Sequence, residues 1–247
     1  MKKYILDTIN YYTEYFIDNE KRPTIVVSPG GGYQYTSPRE SLPVAKAYNS
    51  YGYHVVVVNY RETVDEAYPK TAEYLAYVFK LLKNDERVSH LIGLGFSAGG
   101  HNLLEVTLHN ENYKMDKPDL IMLGYPVVTS EPKYAHMGSF KNLLKEKENN
   151  LIMRKYLSME YQVKKGNPDL FLWGTFTDES VDVMNSLLLL EAYRKAKCNA
   201  EYHVFPMGGH GLSVANSESA EGNLEKINPY IARWVELSIE WLKNKLK

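Results

Sequence analysis

The chain has one cysteine among its 247 residues, Cys198, and almost no charge imbalance: 29 Lys and Arg stand against 30 Asp and Glu, a formal net charge of −1. One thiol excludes an intrachain disulfide framework and a multi-cysteine zinc site. The balanced charge removes the electrostatic case for nucleic acid or an anionic membrane surface as partner. The short basic clusters, Lys164-Lys165 and the lysines within 243–247, read as solvated faces. Long hydrophobic runs are lacking as well, and no window approaches the length of a membrane span. The N-terminal MKKYILDTINYYTEYF loses its apolar character at Asp7, Thr8 and Asn10, too soon for a signal-peptide core. These absences make the cytoplasm the expected location. They leave the oligomeric state open.

What the chain does have is a rhythm. Short apolar runs occur at 24–28 (TIVVS), 54–59 (HVVVVN), 91–95 (LIGLG), 120–124 (LIMLG), 170–173 (LFLW) and 202–205 (YHVF). Near-continuous apolar strands are what a sheet covered on both faces requires. Between them, residues 71–83, 184–197 and 231–246 place their apolar side chains at helical spacing. Strands alternating with helices predict an α/β fold, a mostly parallel central sheet with helices on both faces, in one domain over residues 1–247. Residues 129–165 interrupt the rhythm. They contain no strand-like run, and the Lys/Glu/Asn-rich stretch 143–150 suggests an exposed helix. Such an insertion either shapes a pocket above the strand ends or is a plain surface excursion.

The run at 91–95 leads into Gly95-Phe96-Ser97-Ala98-Gly99, followed by a helical pattern with Leu103, Leu104 and Val106. A serine at a strand-to-helix turn of this kind is held in a strained backbone conformation, and glycine two residues to either side lets neighbouring chain approach without a Cβ clash. The hydroxyl is then presented above the sheet near the positive end of the next helix. Ser97 is therefore a candidate nucleophile; the plainer reading is a glycine-rich tight turn. A serine hydroxyl needs a base, and the base an orienting carboxylate. Candidates follow later strands: Asp178 in FLWGTFTDESV, with Glu179 and Asp182 as rivals, and His210 in YHVFPMGGHGL. His101, just after the serine, is expected to pack or cap, and His203 to be a satisfied sheet residue.

Upstream, VVSPGGGYQYTSPRE places Gly30, Gly31 and Gly32 directly after a strand. Their main-chain N–H groups, together with that of Ala98, can face developing negative charge; a flexible loop is the alternative. No Gly-X-X-X-X-Gly-Lys-Ser/Thr pattern points to phosphate binding. Tyr33 either lines an acyl pocket or packs under the loop, and Glu40 with Arg61 is a candidate ion pair steadying it.

Taken together, PGGGY (29–33), PRE (38–40), NYR (59–61), GFSAGGH (95–101), GYPV (124–127), Asp178, NSLLLLEAY (185–193) and HVFPMGGHGL (203–212) resemble the small α/β-hydrolases of the acetyl-esterase group. That group comprises acetyl-xylan esterase-like and feruloyl/acetyl-xylan esterase-like proteins. The resemblance extends over most of the chain, with only 129–165 uninformative. It implies the α/β-hydrolase fold, with Ser97 as nucleophile, Asp178 as orienting acid and His210 as base, in the chain order Ser, acid, His. It makes the amides of Gly31, Gly32 and Ala98 the oxyanion donors. It further implies a serine esterase that removes short acyl groups, acetyl above all, from sugars or xylo-oligosaccharides. The partner is then a small ester, and no metal or organic cofactor is called for. The group commonly carries Asp-X-X-Val-Pro, whereas here Asp178-Glu179-Ser180-Val181 is followed by Asp182, which leaves the geometry of that loop open. The alternatives are a peptidase of the prolyl-oligopeptidase type, a general carboxylesterase or lipase, and a non-catalytic binding module on the same fold.

Overall fold

The structure, a computed structural model, describes residues 1–7, 9–60 and 68–247. Two strands that the apolar runs did not reveal come first, β1 (Lys2–Ile5) and β2 (Tyr11–Tyr15). The anticipated runs follow as β3 (Arg22–Ser28), β4 (His54–Asn59), β5 (Val88–Phe96), β6 (Leu120–Gly124), β7 (Asp169–Thr175) and β8 (Ala200–Phe205). They form one eight-stranded sheet in the order β1-β2-β4-β3-β5-β6-β7-β8. Strands β3 to β8 pair in parallel, and β1 and β2 add an antiparallel edge. That edge was hidden because YYTEY buries Tyr12, Thr13 and Glu14 in succession, so no apolar alternation marks it. Tyr4 stacks on Tyr12 at 4.8 Å, and the buried Glu14 carboxylate accepts from Tyr4 Oη at 3.2 Å and faces Arg87 at 3.6 Å.

Successive strand residues alternate between two helical layers, as a pleated backbone demands. Val26, Val56, Val58, Ile121, Leu123, Leu170 and Leu172 point to one side, and Ile25, Val27, Val55, Val57, Met122, Phe171 and Trp173 to the other. The helices are α1 (Leu42–Asn49), α2 (Lys70–Lys83), α3 (Ser97–Leu108), α4 (Met137–Leu144), α5 (Leu151–Tyr156), α6 (Met184–Lys195), α7 (Ser217–Ala220), α8 (Pro229–Ala232) and α9 (Trp234–Lys245). Residues of α2, α3, α4 and α6 cover the first face, and residues of α1 and α9 the second. The helix expected over 231–246 is interrupted: Pro229 opens the short α8, and α9 starts afresh at Trp234. No helix among the described residues is long and apolar enough to cross a membrane.

The interrupting segment, 129–165, carries α4 and α5. The exposed helix expected over 143–150 does not form as such. Leu143 and Leu144 end α4 as buried residues, Lys145 takes a left-handed φ of 53°, and a single 3-10 turn (Lys145–Lys147) follows. Phe140 and Leu143 bury into the core beside α3, and Asn142 Nδ2 donates to Gly32 O at 2.8 Å. The apolar pair Leu143-Leu144 anchors the helix end and leaves the charged residues in the turn.

Leu103 of α3 is fully buried on the sheet face covered by α2. Leu103→Ala is expected to lower stability by about 2–5 kcal/mol, measured by urea denaturation; a change under about 1 kcal/mol would show that α3 does not close this face.

Candidate active site

Strand β5 ends at Phe96 and α3 begins at Ser97, with no residue between them. The abrupt reversal puts Ser97 at φ 50°, a left-handed conformation that costs energy outside glycine. Close packing of α3 makes it possible. A Cβ on Gly95 would lie 2.6 Å from Gly100 Cα, and one on Gly99 would lie 2.0 Å from the Ser28 carbonyl oxygen. The two outer glycines of the motif are therefore spaces taken up by backbone.

The structure brings Ser97, His210 and Asp178 into one chain of hydrogen bonds. His210 Nε2 lies 2.9 Å from Ser97 Oγ, and His210 Nδ1 lies 2.7 Å from Asp178 Oδ2. An ionised carboxylate only accepts, so the ring proton sits on Nδ1 and Nε2 accepts from the serine O–H. Asp178 Oδ1 accepts the amides of Ser180 at 2.9 Å and Val181 at 3.0 Å, which fixes the acid without the proline. Asp182 serves elsewhere, accepting from Met184 N at 2.8 Å at the head of α6, and Glu179 is exposed.

The glycine loop lies against this chain. A Cβ on Gly30 would stand 2.9 Å from Ser97 Cβ. The Gly30 amide is already engaged, donating to Glu40 Oε2 at 2.6 Å. Among the described residues the amides of Gly31, Gly32 and Ala98 have no hydrogen-bond acceptor. Ala98 also sits in the first turn of α3, where the helix dipole favours negative charge. The arrangement thus offers a polarised hydroxyl, a base with its orienter, and unengaged donors close by.

Glu40 is buried; Arg61, the partner expected for it, lies outside the described residues. The second oxygen of Glu40 accepts from Tyr125 Oη at 2.7 Å, and Tyr125 Oη accepts from Ser213 N at 2.9 Å. Ser213 Oγ returns to Arg39 O at 2.7 Å, and Trp234 Nε1 donates to Ser213 O at 2.8 Å. The Tyr125 ring meets His210 edge-on, with centroids 4.9 Å apart.

Tyr33 is buried under the loop, its Oη 2.7 Å from His101 Nδ1. His101 Nε2 lies 2.7 Å from Leu157 O; a carbonyl only accepts, so Nε2 carries the proton and Tyr33 donates to Nδ1. Tyr33 and His101 pack closely with Val127, Ser139, Phe140 and Leu143, leaving no space for a water molecule, and Val127 N donates to Ser97 O at 3.0 Å. His203 in β8 pairs with Glu201 at 2.8 Å, away from the serine chain. Among the described residues no group of three or more His, Cys, Asp or Glu could hold a metal ion.

Sequence reasoning missed three residues here. Tyr125 appeared only within the GYPV motif. Asn185 is fully buried: its Oδ1 accepts Val128 N and Thr129 N at 2.9 and 3.1 Å, and its Nδ2 donates to Tyr134 O and Asp182 O at 2.9 and 3.0 Å. His136 caps α4, a position for which histidine carries little sequence signal.

Residues 25–176 match the family described as alpha/beta hydrolase fold. Endo-1,4-beta-xylanase B of Butyrivibrio fibrisolvens is 32% identical over 222 residues, covering 83% of this chain and 35% of that protein. Acetylxylan esterase of Xylanibacter ruminicola is 26% identical over 204 residues, covering 79% of this chain and 42% of that protein. The chain therefore spans well under half the length of these curated relatives. A solved structure, the acetyl ester-xyloside bifunctional hydrolase from Caldicellulosiruptor lactoaceticus, superposes with a TM-score of 0.82 at 32% identity, covering 95% of this chain and 88% of that one.

Glu40→Gln offers one accepting oxygen to two buried donors and is expected to cost about 1–3 kcal/mol; an unchanged urea midpoint would show that the carboxylate does not hold the loops. Burial lowers the pKa of His54, His101 and His136 in the folded protein. In the unfolded chain each protonates near about 6.5. The unfolded state then binds more protons in acid, so stability is full above that pH and declines below it. Around His101, Glu105 raises the pKa and His109 lowers it, both secondary to burial. Denaturation at several pH values should show this decline, and His101→Gln should flatten it; a wild-type slope in the variant would remove His101 as a contributor.

Proposed function

Because the chain belongs to the alpha/beta hydrolase fold family, we propose that it is a serine esterase that removes short acyl groups, chiefly acetyl, from sugars or xylo-oligosaccharides. The observation that carries the reading is the unbroken line from Ser97 Oγ through the His210 ring to Asp178. Ser97 attacks the ester carbonyl while His210 Nε2 takes its proton. Asp178 holds the tautomer and supports the imidazolium that forms. The amides of Ala98 and of Gly31 or Gly32 receive the oxyanion, each donor contributing about 3–4 kcal/mol in comparable sites. His210 then returns the proton to the leaving alcohol and activates the water that releases the acid.

Acetyl esters of xylose units are suggested by the names of the similar proteins. Residues 129–165 form one wall of the site in this reading, since α4 docks on Gly32. A chain with one cysteine suits a reducing compartment. In the cytoplasm the substrates would be small imported acetylated sugars, which makes an acetylated saccharide the expected partner.

Activity on a series of p-nitrophenyl esters should be highest for acetate and fall steeply with chain length. A flat profile would favour a general carboxylesterase, cleavage of amide substrates a peptidase, and turnover of no ester or amide a binding module. Ser97→Ala should lower kcat by about 10³ or more with little loss of stability; near-normal kcat in that variant would remove Ser97 from the mechanism.

A further inference from the structure

His136 plays no part in the proton relay, yet it stands beside it. Its Nδ1 accepts the Ser139 main-chain N–H at 3.2 Å, with Ser139 Oγ 2.8 Å away. A main-chain N–H can only donate, so Nδ1 presents its lone pair and the ring proton sits on Nε2. Among the described residues Nε2 has no hydrogen-bond partner, although the ring is partly buried. The ring lies over the glycine loop: its Cε1 is 3.9 Å from where a Cβ on Gly32 would stand, and Asn142 of the same helix holds Gly32 O. Burial and His210 keep the His136 ring neutral, and Asp178 opposes them. Tyr35 and Met137, its neighbours on the loop and the helix, are exposed, so this side of the site opens to solvent. A donor with no partner among the described residues thus stands beside the glycine loop.

We propose that the Nε2–H of His136 is a specificity-determining donor, binding a hydroxyl or ring oxygen of the sugar that carries the acetyl group. This rests on the esterase reading above. Two substrates with the same acetyl group separate the roles: an acetylated methyl xyloside, which has sugar oxygens, and p-nitrophenyl acetate, which has none. His136→Asn retains an oxygen to cap α4 and removes the outward donor. His136→Gln places an amide N–H near the position of Nε2. For His136→Asn, kcat/KM on the xyloside should fall by about 3- to 10-fold, mainly through KM, while p-nitrophenyl acetate stays within about twofold. His136→Gln should recover part of the loss. An equal fall on both substrates, or no fall on the xyloside, overturns the proposal while leaving the esterase reading standing. If the unmodified protein cleaves neither ester, the esterase reading and this proposal fall together.

Discussion

The geometry of the site depends on one buried carboxylate. Glu40 accepts from Gly30 N and from Tyr125 Oη, and through Tyr125 it reaches Ser213 N. Those groups belong to the chain after β3, after β6 and after β8. A parallel sheet brings such loops to one edge but does not set their heights relative to one another. Charge-assisted hydrogen bonds are short and directional, and a buried acceptor serving two donors resists rearrangement because any loss leaves a donor unpaired. One side chain therefore sets the glycine loop against the loop that carries His210. It also decides which amides remain available: the Gly30 N–H is taken, and the next two are not.

A second constraint lies at Ser97. The left-handed turn stores strain that only a rigid surround can hold. Here the surround is backbone against backbone, with Gly95 against Gly100 and Gly99 against Ser28. A side chain between them would force α3 away from the sheet and move the serine with it. The strain and the close packing are two descriptions of the same contact.

Much of this was legible in the residues. The strands from β3 onward show as apolar runs because both of their faces are covered, and α2, α6 and α9 show as helical spacing with ends displaced by a few residues. Ser97, Asp178 and His210 could be selected because each sits in a distinctive setting after a strand. Pairwise partners were far less legible. The bonds that Glu40 makes to an amide and a phenol leave no charge pattern in the sequence. Asn185 satisfies four backbone groups from three stretches of chain, and no local spacing encodes that. The antiparallel edge escaped because its buried residues include Thr13 and Glu14, on opposite faces, and Glu14 makes sense only once Arg87 and Tyr4 are in place.

The segment 129–165 is tied to the core and to the glycine loop at once. Its core contacts are ordinary: Phe140 and Leu143 bury against the sheet layer beneath α3. Its polar contacts are not. Asn142 holds the Gly32 carbonyl, the Leu157 carbonyl orients His101 and through it Tyr33, and Ser139 orients His136. The apolar residues fix where the insertion sits, and the polar ones use that position to support the glycine loop from both sides. The segment's bonds from Asn142 to Gly32 O and from His101 to Leu157 O join pieces of chain far apart in sequence, and no local spacing within 129–165 reveals them.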